Sequence, residues 1–325
     1  MIPERAEVKV FRRGQESDLN EEELISSLYP PGKEQESDCY LGTDGCLITT
    51  DTIVEGTHFR LDWSSPADLA RKLIEVNVSD IAAANGVPKK AFFNFGLSPS
   101  CNRKEFLNPF VQTFKETLYS YGIELCGGDT YRSQELNLTL TLLGKSDSPV
   151  SRKGGRAGDR VYLTGHIGAS LLGYKILDGS NPSLPPGLRE ASIDRHLRPR
   201  SRLSLSRSLY SSYNIHAGMD LTDGLIQDLG KLAKVSRLVI EIELNRVPVL
   251  DGIEKAIGLE GILSSGEELE LLFLSPDLIP SQWESVDITP IGSVRFTKEN
   301  ESPRVDFLLN EQLFRPTEGG FRHFT

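Results

Sequence analysis

Residues 47–88, LITTDTIVEGTHFRLDWSSPADLARKLIEVNVSDIAAANGVP, decide how the rest of the chain is read. Leu47-Ile48-Thr49-Thr50 is half apolar and β-branched, which predicts a strand, and Asp51 falls at its end. A helix follows, with Ser65 as N-cap, Pro66 in the first turn and Asp68 three residues after the cap. Stepping at helical spacing from Leu69 gives Leu73, Val76, Asp80 and then Ala83 and Ala84, while Asp68, Arg71, Lys72, Glu75 and Ser79 gather on another face. Asp80 therefore sits in the apolar stripe, with Asn77 beside it. A carboxylate on a buried face needs a cation or several donors. Spacing alone leaves two readings open: a core ion pair or backbone hydrogen bond, and a metal or ligand site.

The 325 residues suffice for two domains, and 38% apolar with 25% charged residues suits a globular protein. No apolar run approaches the length of a membrane span and no secretory signal opens the chain, so a cytoplasmic protein is expected, without a membrane partner. Cys39, Cys46, Cys101 and Cys126 lack pair spacing, which predicts free thiols. A net charge of −10 without a dense basic run argues against nucleic acid as a partner. An acidic protein that handles phosphates would need divalent cations as a bridge.

The charged segment 1–36 is expected to be an arm with a short helix at Glu21–Leu28. Ala91–Leu97 reads as a strand, and Phe106, Phe110, Phe114 and Leu118 form the core stripe of a helix interrupted or started by Pro109. Ile123–Cys126 reads as a short strand running into Gly127-Gly128-Asp129-Thr130, where glycines would let the backbone approach a ligand. The polar, glycine-rich stretch 144–159 is the expected domain boundary, and its Arg152 and Lys153 suit either an anion contact or a solvated linker. Val161–Thr164 enters Gly165-His166-Ile167-Gly168 and a helix over Ala169–Leu177. Six arginines between Arg189 and Arg207 read as a solvated helix face or a subunit contact. In Asp220-Leu221-Thr222-Asp223-Gly224, Thr222 or Asp223 would serve as a helix N-cap, whereas Asp220 does not fit that role. Ser265–Phe273 places Glu267, Glu268 and Glu270 before a strand.

Asp38, Asp51, Asp80, Asp129, Asp220 and Asp223 thus lie beside glycine turns or element ends in both halves. Dispersed single carboxylates suit Mg2+ better than zinc. Neither a GxxxxGK[ST] loop nor the HRD and DFG signatures of protein kinases are present, so any nucleotide chemistry uses another scaffold.

With these motifs assembled, the chain resembles the thiamine-monophosphate kinase family, within the superfamily of aminoimidazole ribonucleotide synthetase and selenophosphate synthetase. The carriers are Thr49-Thr50-Asp51, Glu55-Gly56-Thr57-His58-Phe59, Asn77–Ala83, Gly127–Thr130, Arg195–Pro199, Asp220–Leu225 and Gly320–Phe324. The resemblance implies an α/β (α+β) fold of two domains: a mixed N-terminal sheet at 37–148 that binds ATP and metal and forms a homodimer interface, and a C-terminal α/β domain at 149–325. It also implies ATP-dependent phosphorylation of thiamine monophosphate to thiamine diphosphate by magnesium-assisted in-line transfer. Asp38, Thr50, Asp51, Asp80, Asp129, Asp220 and Asp223 would then surround several magnesium ions. Gly128, Asp129, Arg152 and Thr222 would contact ATP, and His58 and Glu267 the thiamine phosphate. No general base is required, because the acceptor is already anionic. Three positions depart from the family pattern: Ser37 replaces an aspartate, Leu269 a tyrosine, and Glu318 an aromatic residue. They keep two alternatives open, a related kinase or synthetase with another acceptor and a nucleotide-binding protein without catalysis.

Overall fold

The computed structural model describes residues 27–28 and 36–317. Of the expected helix at Glu21–Leu28, only helical Ser27 and Leu28 fall within them; the rest of the arm and the closing 318–325 segment lie outside the described residues.

The first half is a five-stranded sheet. Its members are β1 (Tyr40–Leu41), β2 (Cys46–Val54), β3 (Val87–Leu97), β4 (Glu124–Arg132) and β5 (Asn137–Lys145), in the order β1-β2-β5-β3-β4. All pairings are antiparallel except β3 with β4. Alternation along β2 decides its two faces: Leu47, Thr49 and Ile53 are buried, whereas Thr50 and Thr52 are exposed. Two helices pack on the buried face, α1 (Pro66–Ala83) and α2 (Lys104–Ser120). Ser65 and Asp68 close a reciprocal capping box at the start of α1, and Asn85 ends it in a left-handed conformation at φ 57°. Pro109 neither starts nor breaks α2, which begins five residues earlier and runs through it. Phe110 stacks between Phe106 and Phe114 at 6.0 and 5.8 Å, the expected core stripe.

The second half contains β6 (Arg160–Thr164), β7 (Ala217–Asp220), β8 (Leu238–Glu243), β9 (Leu271–Ser275), β10 (Gln282–Trp283), β11 (Val286–Phe296), β12 (Arg304–Leu309) and β13 (Gln312–Phe314). The sheet order is β13-β12-β8-β11-β6-β9-β7, with β10 paired to β11. Helices α3 (Ala169–Leu177), α4 (Leu188–Leu197), α5 (Leu203–Ser212), α6 (Leu225–Ser236) and α7 (Ile253–Leu263) complete this half. Each half has its own apolar core. A third cluster joins them: Ala83 at the end of α1 packs with Leu205, Leu209, Tyr210 and Phe273. Because α1 also packs against β7, residues near its C-terminus meet the end of that strand.

Candidate active site

That packing brings three carboxylates together. Asp38 precedes β1, Asp80 sits in the last turn of α1 and Asp220 ends β7; one oxygen from each lies within 4.8 Å of the others. Asp51 joins them, since it follows Thr49 by one strand repeat and so faces α1. Its amide donates to Asn77 Oδ1 at 3.2 Å, and its charge acts on the Asp80 carboxyl. Thr49 also donates its hydroxyl to Asp80. Burial, reinforced by neighbouring carboxylates, holds the Asp80 and Asp220 carboxyls well above the usual range and pushes Asp51 up to about 6. Nearby, burial raises the Cys39 thiol and the Tyr210 phenol.

Asp220 is 1% exposed, and neither of its carboxylate oxygens has a hydrogen-bond partner among the described residues. An orphaned buried carboxylate facing two more is a costly arrangement that a hard cation with oxygen ligands relieves. The donor set fits magnesium, with Asp38, Asp51, Asp80 and Asp220 as the residues that would hold it. Two of the expected metal carboxylates already meet cations of their own chain. Arg152 Nε donates to Asp38 at 3.0 Å, and Lys231 bridges Asp223 and Asp228 Oδ1, the latter at 2.8 Å. Arg152 is thus not a solvated linker residue; it neutralises one edge of the cluster.

Other expected positions fall elsewhere. The Thr50 hydroxyl lies 3.0 Å from that of Thr141 on the opposite, exposed face of the sheet, so the side chain that reaches the carboxylates is Thr49's. Gly127–Thr130 is not a turn after a short strand but part of β4, with Cys126 as an extra residue in the pairing with β3. Gly128 has φ 146°, and a Cβ there would come within 1.8 Å of the Phe93 carbonyl, so only glycine fits. Asp129 is exposed and accepts from the Thr130 amide; at ~4.8 Å per strand, its strand lies about 14 Å from β2. One chain therefore does not bring Asp129 to the cluster. Neither Thr222 nor Asp223 caps α6. Gly224 holds the cap position, and buried Asp228 accepts from the Thr222 and Asp223 amides at 3.1 and 3.0 Å, fixing that turn beside Asp220.

A second group of polar residues lines the junction of the two halves. The Val54 amide donates to His58 Nδ1 at 3.2 Å, while Glu267 meets Lys72 Nζ at 2.7 Å. The loop carrying Glu267 is held from beneath. Fully buried Glu268 accepts from the Gly168 and Ser170 amides, Ser265 and Arg195, and fully buried Glu270 from Thr164, Arg195 and Arg202. Arg198 reaches across to Asp68 at 2.6 Å. The arginine-rich segment is thus only in part a solvated face: Arg195, Arg198 and Arg202 turn to carboxylates, while Arg200 and Arg207 are exposed. Leu269 is wholly buried with φ 51°, so it supplies core packing and no ring face; Glu318 lies outside the described residues.

The chain matches the family models for the N-terminal domain of AIR synthase related proteins over residues 36–146 and for their C-terminal domain over residues 156–279. It is 49% identical to thiamine-monophosphate kinase of Leptospira interrogans, across 94% of this chain and 98% of that protein. The chain belongs to the thiamine-monophosphate kinase family. The Bacillus subtilis member is 30% identical over 94% of this chain and all of its own length. Among solved structures, AaThiL complexed with AMPPCP and TMP aligns with a TM-score of 0.78 at 29% identity, covering 94% of this chain and 97% of that one.

Thr49, Lys72, Asp228 and Lys231 stand at the site without having been expected there from the sequence. Their sequence signals were faint: Lys72 stands on what reads as a polar helix face, and Asp228 with Lys231 resembles an ordinary surface pair one helical turn apart.

Proposed function

We infer that this protein phosphorylates thiamine monophosphate to thiamine diphosphate with ATP as donor, and that magnesium at the aspartate cluster assists the transfer. The observation carrying the reading is the convergence of Asp38, Asp80 and Asp220, with Asp220 unpartnered, in a chain of this family. Two anionic phosphates must approach one another, and the barrier is mainly their repulsion. Bound magnesium supplies charge neutralisation and alignment of acceptor and donor. The chain's own part is to hold four carboxylates on β2, α1, β7 and the segment before β1, to fix the turn at Thr222 through Asp228, and to present Arg152 and Thr222 to the nucleotide and His58 and Glu267 to the acceptor.

We assign the domains to 37–148 and 149–325, a division supported by the two separate cores and by family matches that end at 146 and resume at 156. We also infer a homodimer. The outer face of the first sheet exposes Tyr40, Phe92 and Tyr131, and every residue of the edge strand β4 is exposed, an unpaired surface that a second copy would cover. Gly128 and Asp129 then belong to a site completed across that interface. A cytoplasmic setting, where ATP is present, agrees with four free cysteines and with no described helix being long and apolar enough to cross a membrane.

The test is ADP release with purified protein, ATP, magnesium and thiamine monophosphate, with each component omitted in turn. Turnover that needs all of them is expected. ATP binding without turnover for thiamine monophosphate, or turnover with a different phosphate acceptor, overturns the assignment.

A further inference from the structure

Four ionisable groups crowd the junction between α1 and the 265–269 loop, and the acceptor assignment uses two of them, His58 and Glu267. The other two are Lys72, whose side chain is 3% exposed, and His196, whose buried Nδ1 has no partner among the described residues. A buried ammonium is expensive unless its protons are met. Lys72 Nζ is met by Glu267 Oε2 at 2.7 Å and the His58 carbonyl at 3.3 Å, so one amine touches both residues assigned to the acceptor.

We propose that Lys72 is a positioning residue for the phosphate acceptor: its ammonium clamps the Glu267 carboxylate in the orientation that receives the cationic heterocycle of thiamine monophosphate. The inference rests on the acceptor assigned above. Glu267 stands on strained backbone, with φ 54°, its amide tied to the Thr222 carbonyl at 2.8 Å. With the backbone so fixed, Lys72 fixes the side chain by engaging Oε2. Three cationic or neutral groups face this carboxylate from different elements: Lys72 on α1, His196 on α4 and His58 in the turn after β2. Lys72, first among them, holds Glu267 below its ordinary range despite its burial, while burial holds His196 low, at about 4. Lys72 meets the carboxylate directly, at 2.7 Å. An ionised carboxylate attracts a cationic ring and repels a triphosphate, so the clamp acts on the acceptor and leaves ATP untouched.

The experiment compares full-length wild type, Lys72→Met, Glu267→Gln and the double variant in steady-state assays varying thiamine monophosphate and ATP separately. Lys72→Met is expected to raise KM for thiamine monophosphate by about tenfold or more, with KM for ATP and kcat each within about twofold of wild type. Because Glu267→Gln already removes the clamped charge, adding Lys72→Met to it should change KM for the acceptor by less than about twofold. The double variant buries no unpaired charge and folds even where Lys72→Met alone does not, so this second comparison stands by itself. Equal rises in both KM values, a loss of kcat at constant KM, or additive effects in the double variant overturn the proposal. Absence of turnover in wild type sinks the functional assignment instead, and is distinguished by that control.

Discussion

Asp51→Asn separates the energetics of the aspartate cluster from its catalytic use. Burial and nearby Asp38 and Asp223 raise the Asp51 carboxyl from 3.8 to about 6. A folded-state value above the unfolded one means that stability is greatest below the unfolded value and declines as pH rises through the folded value, here between roughly pH 4 and 6. At 1.36 kcal/mol per unit the loss reaches at most ~3 kcal/mol, and nearer 1–2 because Asp51 is only half-buried and partly screened. Asparagine keeps the shape yet carries no charge. At pH 7.5 in EDTA the variant should therefore unfold a few degrees above wild type, at ~2–4 °C per kcal/mol. The advantage should shrink to nothing near pH 4, where both proteins carry a neutral group. Adding magnesium should reverse the order, because an ion that binds only the folded state stabilises the intact cluster more. Thermal unfolding across pH 4–8, with EDTA and with magnesium, reads all of this. A variant less stable than wild type in EDTA at pH 7.5 would refute the reasoning, as would a wild type indifferent to magnesium.

Glu270→Gln leaves Arg195 and Arg202 facing a neutral amide in a fully buried site, and should cost about 3–5 kcal/mol in urea unfolding; a loss below ~1 kcal/mol would mean that this network is not what holds the loop. Lys231→Met strands the buried Asp228 carboxylate, and a loss of about 2–3 kcal/mol is expected by the same measurement, discounted because Lys231 is partly exposed. Phe92→Glu combined with Tyr131→Glu places charges on the exposed face of the first sheet and should shift sedimentation from dimer to monomer with the fold retained by circular dichroism; an unchanged sedimentation coefficient would place the interface elsewhere.

Much of the architecture was legible because it is written in local periodicities. The capping box at Ser65 and Asp68, the stripe through α2 and the helix at Ala169–Leu177 follow from spacing and end signals within a dozen residues. Asp80 could be singled out for the same reason: a carboxylate in an apolar stripe stands out wherever the rest of the chain goes. Which of its two readings holds depended on Asp220, 140 positions away, arriving without a partner of its own. The sequence alone could not choose between Thr49 and Thr50, because a strand shows its alternation but not which face the helices cover. Nor could it show that Arg195 and Arg202 turn inward, since a run of arginines looks the same whether water or buried glutamates receive it. Local pattern determined the elements and their likeness to one family. Only tertiary packing decided which charges meet, because ion pairs depend on distances between segments that the order of residues leaves free.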